Sequence, residues 1–339
     1  MNKCKLCEHN EANQTGSHII PHFLIKSMVN EGGSKKRDKE VSFGINSIDA
    51  DVFFGRSVTI DKIEETMGKP LTDDEIEGQS NHFTIDNMLC DSCEKKLAIV
   101  ESYYSLNSEN GKVDAKVSTI FWYSILWRIS ASKCSGLTMK NKDEKKIRKL
   151  LNSTLTLNIK TVKENSISNT SLFDSIAYKL LKVEELDEED GLLFMAHPTL
   201  FTPYSLIINN FTIFFYTRLS YLKNISQNFF GFEKLYTKNS PVISESMFEE
   251  CHIVDRQVFF KCVKKFADFK VKDFGDKLKI FINSTFRNLT GKNASPQLVQ
   301  NSIHEIIYGE STMGERYGQI RMHRIIAKHI ILEQQINFR

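Results

Sequence analysis

No glycine-rich phosphate loop, no Ser-His-Asp arrangement and no internal repeat occurs in this 339-residue chain. Those absences set aside nucleotide-binding enzymes of the GxGxxG or Walker type, triad hydrolases and solenoids. Net charge is almost absent as well: 45 basic against 42 acidic side chains leave +3. A polyanion would therefore have to be held by local clusters and not by the mean field. No apolar leader run follows the charged Met1-Asn2-Lys3-Cys4-Lys5 start, and the cysteines number seven, which is odd. Both features point to a reducing cytoplasm and away from secretion. The stretch Gly191 to Thr217 lacks charge, yet Pro198, Pro203, Asn209 and Asn210 interrupt it. It reads as buried strands and not as a membrane span, so no membrane partner is expected.

What the chain does have is a pair of matched cysteine turns, Cys4-Lys5-Leu6-Cys7 and Cys90-Asp91-Ser92-Cys93. Each puts two sulfurs on one tight turn, and two such turns supply the four soft thiolates that tetrahedral zinc prefers. The spacing predicts a shared structural Zn²⁺ held by Cys4, Cys7, Cys90 and Cys93. Four reduced, unliganded thiols are the plain alternative. A redox Cys-x-x-Cys pair fits less well, because that chemistry wants the pair to open a helix after a buried strand. Cys134, Cys251 and Cys262 have no paired spacing and read as small buried apolar residues.

Ser17-His18-Ile19-Ile20-Pro21 follows the first pair, and Asp86-Asn87-Met88-Leu89-Cys90-Asp91-Ser92-Cys93-Glu94 surrounds the second. In this order the motifs resemble the HNH endonuclease group of treble-clef zinc proteins of bacteria and phages. The resemblance covers residues 4 to about 101 and implies a ββα site. It matches His18 to the general base and Asn87 to the residue that orients it. Glu94 stands where the family's metal-binding His would be, and Ser17 stands where the family has a carboxylate. Glu94, alone or with Asp86, Asp91 or His22, would then hold a catalytic Mg²⁺ or Mn²⁺, since hard cations favour carboxylate oxygen. His18 would have to be neutral to accept a proton, which an ordinary imidazole pKa of about 6.5 permits. For His18 the bland alternative is a packed strand histidine or a metal ligand.

The fold class expected is α+β and mainly helical, with an N-terminal treble-clef/ββα zinc module followed by a larger helical domain with a few strands. Residues 1–110 form the module, interrupted by an insertion at about 30–82, and residues 111–339 form the second domain, with a short β element near 200–218. Helices are expected over His22 to Met28, Lys95 to Leu106, Lys116 to Ser132 and Asp143 to Asn152, and later over Met247 to Ala267, Phe274 to Asn288, Ser295 to Tyr308 and Gly318 to Gln335. Leu155 to Val162 alternates enough for an edge strand. Tyr204 to Ile208 and Phe211 to Thr217 flank Asn209-Asn210 as the strands of a hairpin would.

Basic clusters occur at Lys35-Lys36-Arg37, at Lys145 and Lys146 with Arg148-Lys149, and at Arg321, Arg324 and Lys328, which share one helical face. The reading that results is a metal-dependent endonuclease with a structural zinc, acting on nucleic acid, DNA more than RNA, in bacterial or phage defence. Lys145, Lys146, Arg321, Arg324 and Lys328 are its candidate nucleic-acid contacts. A protein partner or homodimer fits the unexplained second domain. The alternative is a catalytically inactive zinc module that binds nucleic acid or a protein. A thiol redox sensor is a third class that cysteine spacing alone does not separate.

Overall fold

A computed structural model of the chain describes residues 2–29, 41–45, 50–54, 61, 64, 70–71, 83–108, 111–133, 137–184, 194–196, 203–223, 240–309 and 319–337. The expected fold class holds: the chain is α+β and mainly helical, with a cysteine cluster near its N-terminus. Two compact units emerge. The first comprises 1–42 and 54–262, the second 43–53 and 263–339.

The first unit begins with β1 (Ser17–His18), followed by α1 (His22–Val29). The strands β2 (Val41–Ile45) and β3 (Ala50–Phe54) pair with each other and fall mostly in the second unit, while in the first β4 (Thr84–Ile85) pairs antiparallel with β1, Ser17 opposite Ile85 and His18 opposite Thr84. Most of the rest of the expected insertion, including Lys35-Lys36-Arg37, lies outside the described residues. Then come α2 (Asp91–Ser108), α3 (Ala115–Ser132), α4 (Asn141–Thr154), α5 (Ile159–Ser168) and the single turn α6 (Thr170–Phe173). Helix α3 is the centre of this unit. Asp114 caps it by accepting from the Lys116 and Val117 amides, and from Val117 to Ala131 every residue is buried. A helix apolar on all sides belongs inside a core, with neighbours on every face.

Those neighbours are α2 and α4 on one side and a five-stranded sheet on another. The sheet is built from β5 (Ala177–Lys182), β6 (Phe194–Ala196), β7 (Tyr204–Ile208), β8 (Phe211–Tyr216) and β9 (Cys251–Ile253), in the order β6-β7-β8-β5-β9. All pairings are antiparallel except β5 with β9. The Tyr123 hydroxyl ties α3 to the sheet: its oxygen lies 2.7 Å from the Ala177 carbonyl and 2.8 Å from that of Tyr216, so one hydrogen serves both. The boundary expected near residue 110 therefore falls inside the first unit, because α3 packs on α2 and supports the module. The β element is also larger than a single hairpin, since β5, β6 and β9 join it.

Two further expectations are corrected. The strand read at 155–162 is a turn and the start of α5: the Asn158 side chain accepts from the Lys160 amide and caps the helix. Met247 to Ala267 is not one helix. Its first part crosses to α3 and the sheet, with Glu249 N donating to Val113 O at 2.8 Å and β9 alongside β5. Helix α7 then runs unbroken from Arg256 to Thr290, joining the two helices expected there.

In the second unit α7 is followed by α8 (Pro296–Tyr308) and α9 (Gln319–Asn337). Ser295 caps α8 and Pro296 occupies its first turn, where a missing amide hydrogen costs nothing. Leu278, Ile282 and Phe286 of α7 meet Leu298 and Ile306 of α8 and Met322, Ile325, Ile326 and Ile330 of α9. The 278, 282, 286 spacing is the one-face repeat of an amphipathic helix. Among the described residues no helix is long and apolar enough to cross a membrane.

Candidate metal centre

Backbone geometry at the N-terminus folds each cysteine pair into a turn of the same kind. Cys4 O accepts from Glu8 N at 2.8 Å, and Cys90 O accepts from Glu94 N at 3.0 Å. Glu8 takes a left-handed backbone conformation, φ 59°, which closes the first turn. The two turns are stitched together by Lys5 N to Met88 O, 2.9 Å, by Asn13 N and Gln14 N to Leu89 O, 3.1 Å each, and by Asn87 N to Gln14 O, 2.7 Å. A second layer fixes this knuckle on the helices. Asn152 of α4 donates to Leu6 O at 2.6 Å, Lys5 donates to Ala131 O at 2.7 Å, and Arg148 pairs with Glu8.

The four sulfurs all lie within 4.8 Å of one another, and among the described residues no other group of His, Cys, Asp or Glu is placed to hold a metal. Cys7 Sγ and Cys90 Sγ are 3.9 Å apart, while Zn–S bonds of about 2.3 Å at tetrahedral angles require roughly 3.8 Å. Three of the cysteines are buried and Cys7 is half-buried. Asn10 Nδ2 points at Cys90 Sγ from 3.6 Å, a second donor contact of the kind that tunes metal thiolates. A hydrogen bond from Cys93 draws the Cys4 thiol down to about 4 against the opposing effect of burial. The same bond, with burial, pushes Cys93 up. One proton shared between two packed sulfurs is the arrangement a dication displaces on binding. The four-cysteine group is thus placed to hold a metal ion and fits tetrahedral zinc. Of the other cysteines, Cys262 is buried as expected, Cys251 is exposed at the sheet edge, and Cys134 lies outside the described residues.

Beside this centre the β1–β4 ladder and the first turns of α2 bring Ser17 and Glu94 together: Ser17 Oγ donates to Glu94 Oε2 at 3.1 Å. Burial holds the Glu94 carboxyl above its ordinary pKa, opposed by the nearby Arg128 guanidinium and the Ser17 hydroxyl. His18, the next residue of β1, is half-buried, and its ring centroid lies 5.8 Å from that of His22 on α1. Asn87 is exposed in the turn between β4 and α2, with φ 56°. It serves there as the left-handed turn residue.

Sequence reading gave Arg128 no role here, yet it is the central fixture of the site. Arg128 is 2% exposed. Its Nη1 donates to His18 O at 2.7 Å, its Nη2 pairs with Glu101 at 2.6 Å, and Nε reaches Ser124 O at 3.4 Å. Only such partners make a buried guanidinium tolerable. The signal was present: a lone arginine in an otherwise apolar helix has to be satisfied by something. A cleft of about 440 Å³ opens beside it, lined in part by Pro21, His22, Phe23 and Glu101.

The basic clusters separate by role. Lys145 and Lys146 line a cleft on α4. In the second unit Arg321 donates to Glu305 O and Ile306 O at 3.1 Å and to Gly309 O at 3.3 Å, closing the C-terminus of α8. Lys328 pairs with Glu305 at 2.8 Å, and Glu305 also meets His329 at 2.9 Å. Arg321 and Lys328 are therefore engaged within the fold, and Arg324 is exposed on the same helix. No family model, no curated protein and no solved structure matches the chain.

Proposed function

We propose that the chain is a metal-dependent nucleic-acid endonuclease whose four cysteines hold a structural zinc. The observation that carries this reading is the meeting of Ser17 and Glu94 at 3.1 Å on the β1–β4–α2 frame, with His18 adjacent. The resemblance puts its second metal between those two positions. Mg²⁺ keeps several waters and is commonly held by one or two carboxylates plus substrate phosphates, so one glutamate is a sufficient protein ligand for it or for Mn²⁺. Such an ion would neutralise charge on the scissile phosphate and on the departing 3′ oxygen.

The protein's own residues divide the work on this reading. His18 accepts the proton of the attacking water. Arg128 holds the His18 carbonyl and so fixes the backbone from which the imidazole projects. Glu94 must give up its proton to act as a ligand, and the Ser17 hydroxyl and the Arg128 charge favour the ionised form that burial opposes. Free thiolates at the zinc suit a reducing compartment such as a cytoplasm, and a defence role remains the setting proposed.

A second reading, an inert zinc module that binds nucleic acid or protein, draws on the same hydrogen bond. Ser17 offers a hard cation less than the family's carboxylate would, and it already occupies one Glu94 oxygen. One experiment separates the two. Full-length protein is incubated with supercoiled plasmid, single-stranded DNA and RNA in Mg²⁺, Mn²⁺ or Ni²⁺, beside a His18→Ala variant shown to retain its zinc. Cleavage that disappears in the variant supports the nuclease; no cleavage, or equal cleavage by both proteins, refutes it.

A further inference from the structure

One face of α4 carries Lys142, Lys145, Lys146 and Lys149, the i, i+3, i+4, i+7 positions of a helix. With Arg218, just past β8, they line an open cleft of about 570 Å³. Only one carboxylate, Asp143, joins them. It is buried, and Oδ2 accepts the Tyr204 hydroxyl at 2.9 Å. Among the described residues Lys142, Lys145 and Lys149 have no ion pair, and all three are exposed. The flank of the same helix next to Lys145 is spent on the zinc knuckle through Arg148 and Asn152.

The cleft is built and not merely decorated. Lys146 donates to Ser175 O at 3.2 Å and to Thr217 O, joining α4 to the ends of α6 and β8. Two of its three N–H donors are thereby used. Arg218 stands over the Tyr221 ring, its guanidinium carbon 5.7 Å from the centroid. Burial lowers the Lys146 pKa, and Arg218 and Lys142 lower it further, with Asp143 opposing them. Those cations are thus close enough to repel one another.

We propose that this cleft binds phosphate. Lysines supply point charges, and Arg218 supplies a planar fork that matches phosphate oxygens in pairs. A volume of about 570 Å³ is in the range of small-ligand sites. It would equally take one or two nucleotides of a strand. The expected carrier is a nucleic-acid strand, and on that point alone the inference rests on the nuclease reading.

The test compares full-length, zinc-loaded protein with a Lys142→Gln/Lys145→Gln/Lys149→Gln variant. Lys146 stays, because it supports the fold, and Lys292→Gln, at an exposed position given no binding role, serves as a control for a basic residue elsewhere. Fluorescence anisotropy reads binding of a labelled single-stranded DNA across a salt series, and calorimetry reads binding of pyrophosphate. If all three lysines face phosphates, the triple variant lowers the slope of log K against log salt by roughly 2 and weakens strand binding on the order of 10–100-fold. Zinc content and melting stay unchanged, and Lys292→Gln behaves as the parent.

Pyrophosphate binding lost in the variant, with no strand binding by the parent, supports the cleft and makes its carrier a small phosphate ligand. A variant that binds both probes like the parent, or a parent that binds neither, overturns the proposal. Loss of strand binding without any His18-dependent cleavage leaves the cleft standing and removes only the nuclease reading.

Discussion

Replacing Arg128 by methionine tests whether the buried guanidinium fixes the frame of the candidate site. The thioether fills most of the space left by the arginine stem, so the cavity contribution is small. What is lost is charge and hydrogen bonding: Glu101, whose side chain is 22% exposed, keeps its negative charge without a partner, and His18 O loses a charged donor at 2.7 Å. Breaking a buried ion pair from one side costs roughly 3–5 kcal/mol, and the partial exposure of Glu101 puts the expected loss near the lower end, about 3 kcal/mol. For a unit of this size that is a fall in Tm of roughly 6–12 °C. Adding Glu101→Gln removes the stranded charge and should recover about 1–2 kcal/mol, so the two substitutions couple strongly. Urea denaturation of the parent, both single variants and the double variant closes the cycle. A loss below 1 kcal/mol for Arg128→Met, or additivity within about 0.5 kcal/mol, would refute the account.

Glu249 is half-buried, with its carboxylate turned inward, and accepts from Tyr178 at 2.6 Å, Tyr104 at 2.7 Å and Trp122 at 2.9 Å. Glu249→Ala strands three donors and should cost about 3–5 kcal/mol, whereas Glu249→Gln keeps an acceptor and should cost under about 1.5 kcal/mol, both read by chemical denaturation. Burial holds the Glu249 carboxyl above its ordinary pKa. The folded state therefore keeps this proton where the unfolded chain has lost it, and the group's contribution to stability falls as pH rises above about 4.5, the unfolded value. The gap between parent and Glu249→Gln should shift in favour of the glutamine as pH climbs from there; a gap independent of pH would contradict the burial argument. Chelation of the metal should unfold the first unit, because a structural zinc contributes roughly 10–16 kcal/mol against a typical domain stability of 5–15; circular dichroism and metal analysis before and after chelation check this. Arg321→Ala uncaps three carbonyls at the end of α8 and should cost about 1.5–3 kcal/mol, with faster hydrogen exchange confined to that end.

The sequence made legible what depends on near neighbours. The cysteine turns, the capped start of α8 and the hairpin at Asn209-Asn210 are set by residues only a few positions apart, and Asn209 indeed takes the left-handed φ of 50° that such a turn asks for. What could not be read is what distant partners decide. Ala177–Lys182 shows no alternation and carries Lys179 in its middle, yet it becomes the inner strand β5 because β8 and β9 flank it. Residues 248–253 look helical until Glu249 finds its tyrosines and tryptophan across α2, α3 and β5. In the candidate site His18 and Glu94 were visible as motif positions, whereas Arg128 acquires meaning from Glu101 and the distant His18 carbonyl, and Arg218 from lysines about seventy positions away along the chain.

The metal centre draws together residues that leave the ribosome far apart in time. Cys4 and Cys7 emerge early, and Cys90 and Cys93 follow after roughly 80 residues, a delay of about 4–16 s at synthesis rates of 5–20 residues per second. Throughout that interval the first turn is a half-site: two thiols, a dangling Asn10, and no Met88 or Leu89 carbonyl to organise the backbone between them. Completion of the four-sulfur set must wait for the second pair, and so must the pairing of β1, on which His18 sits, with β4. The moment of greatest exposure to oxidants or to a competing soft metal therefore comes during translation, before the finished protein exists.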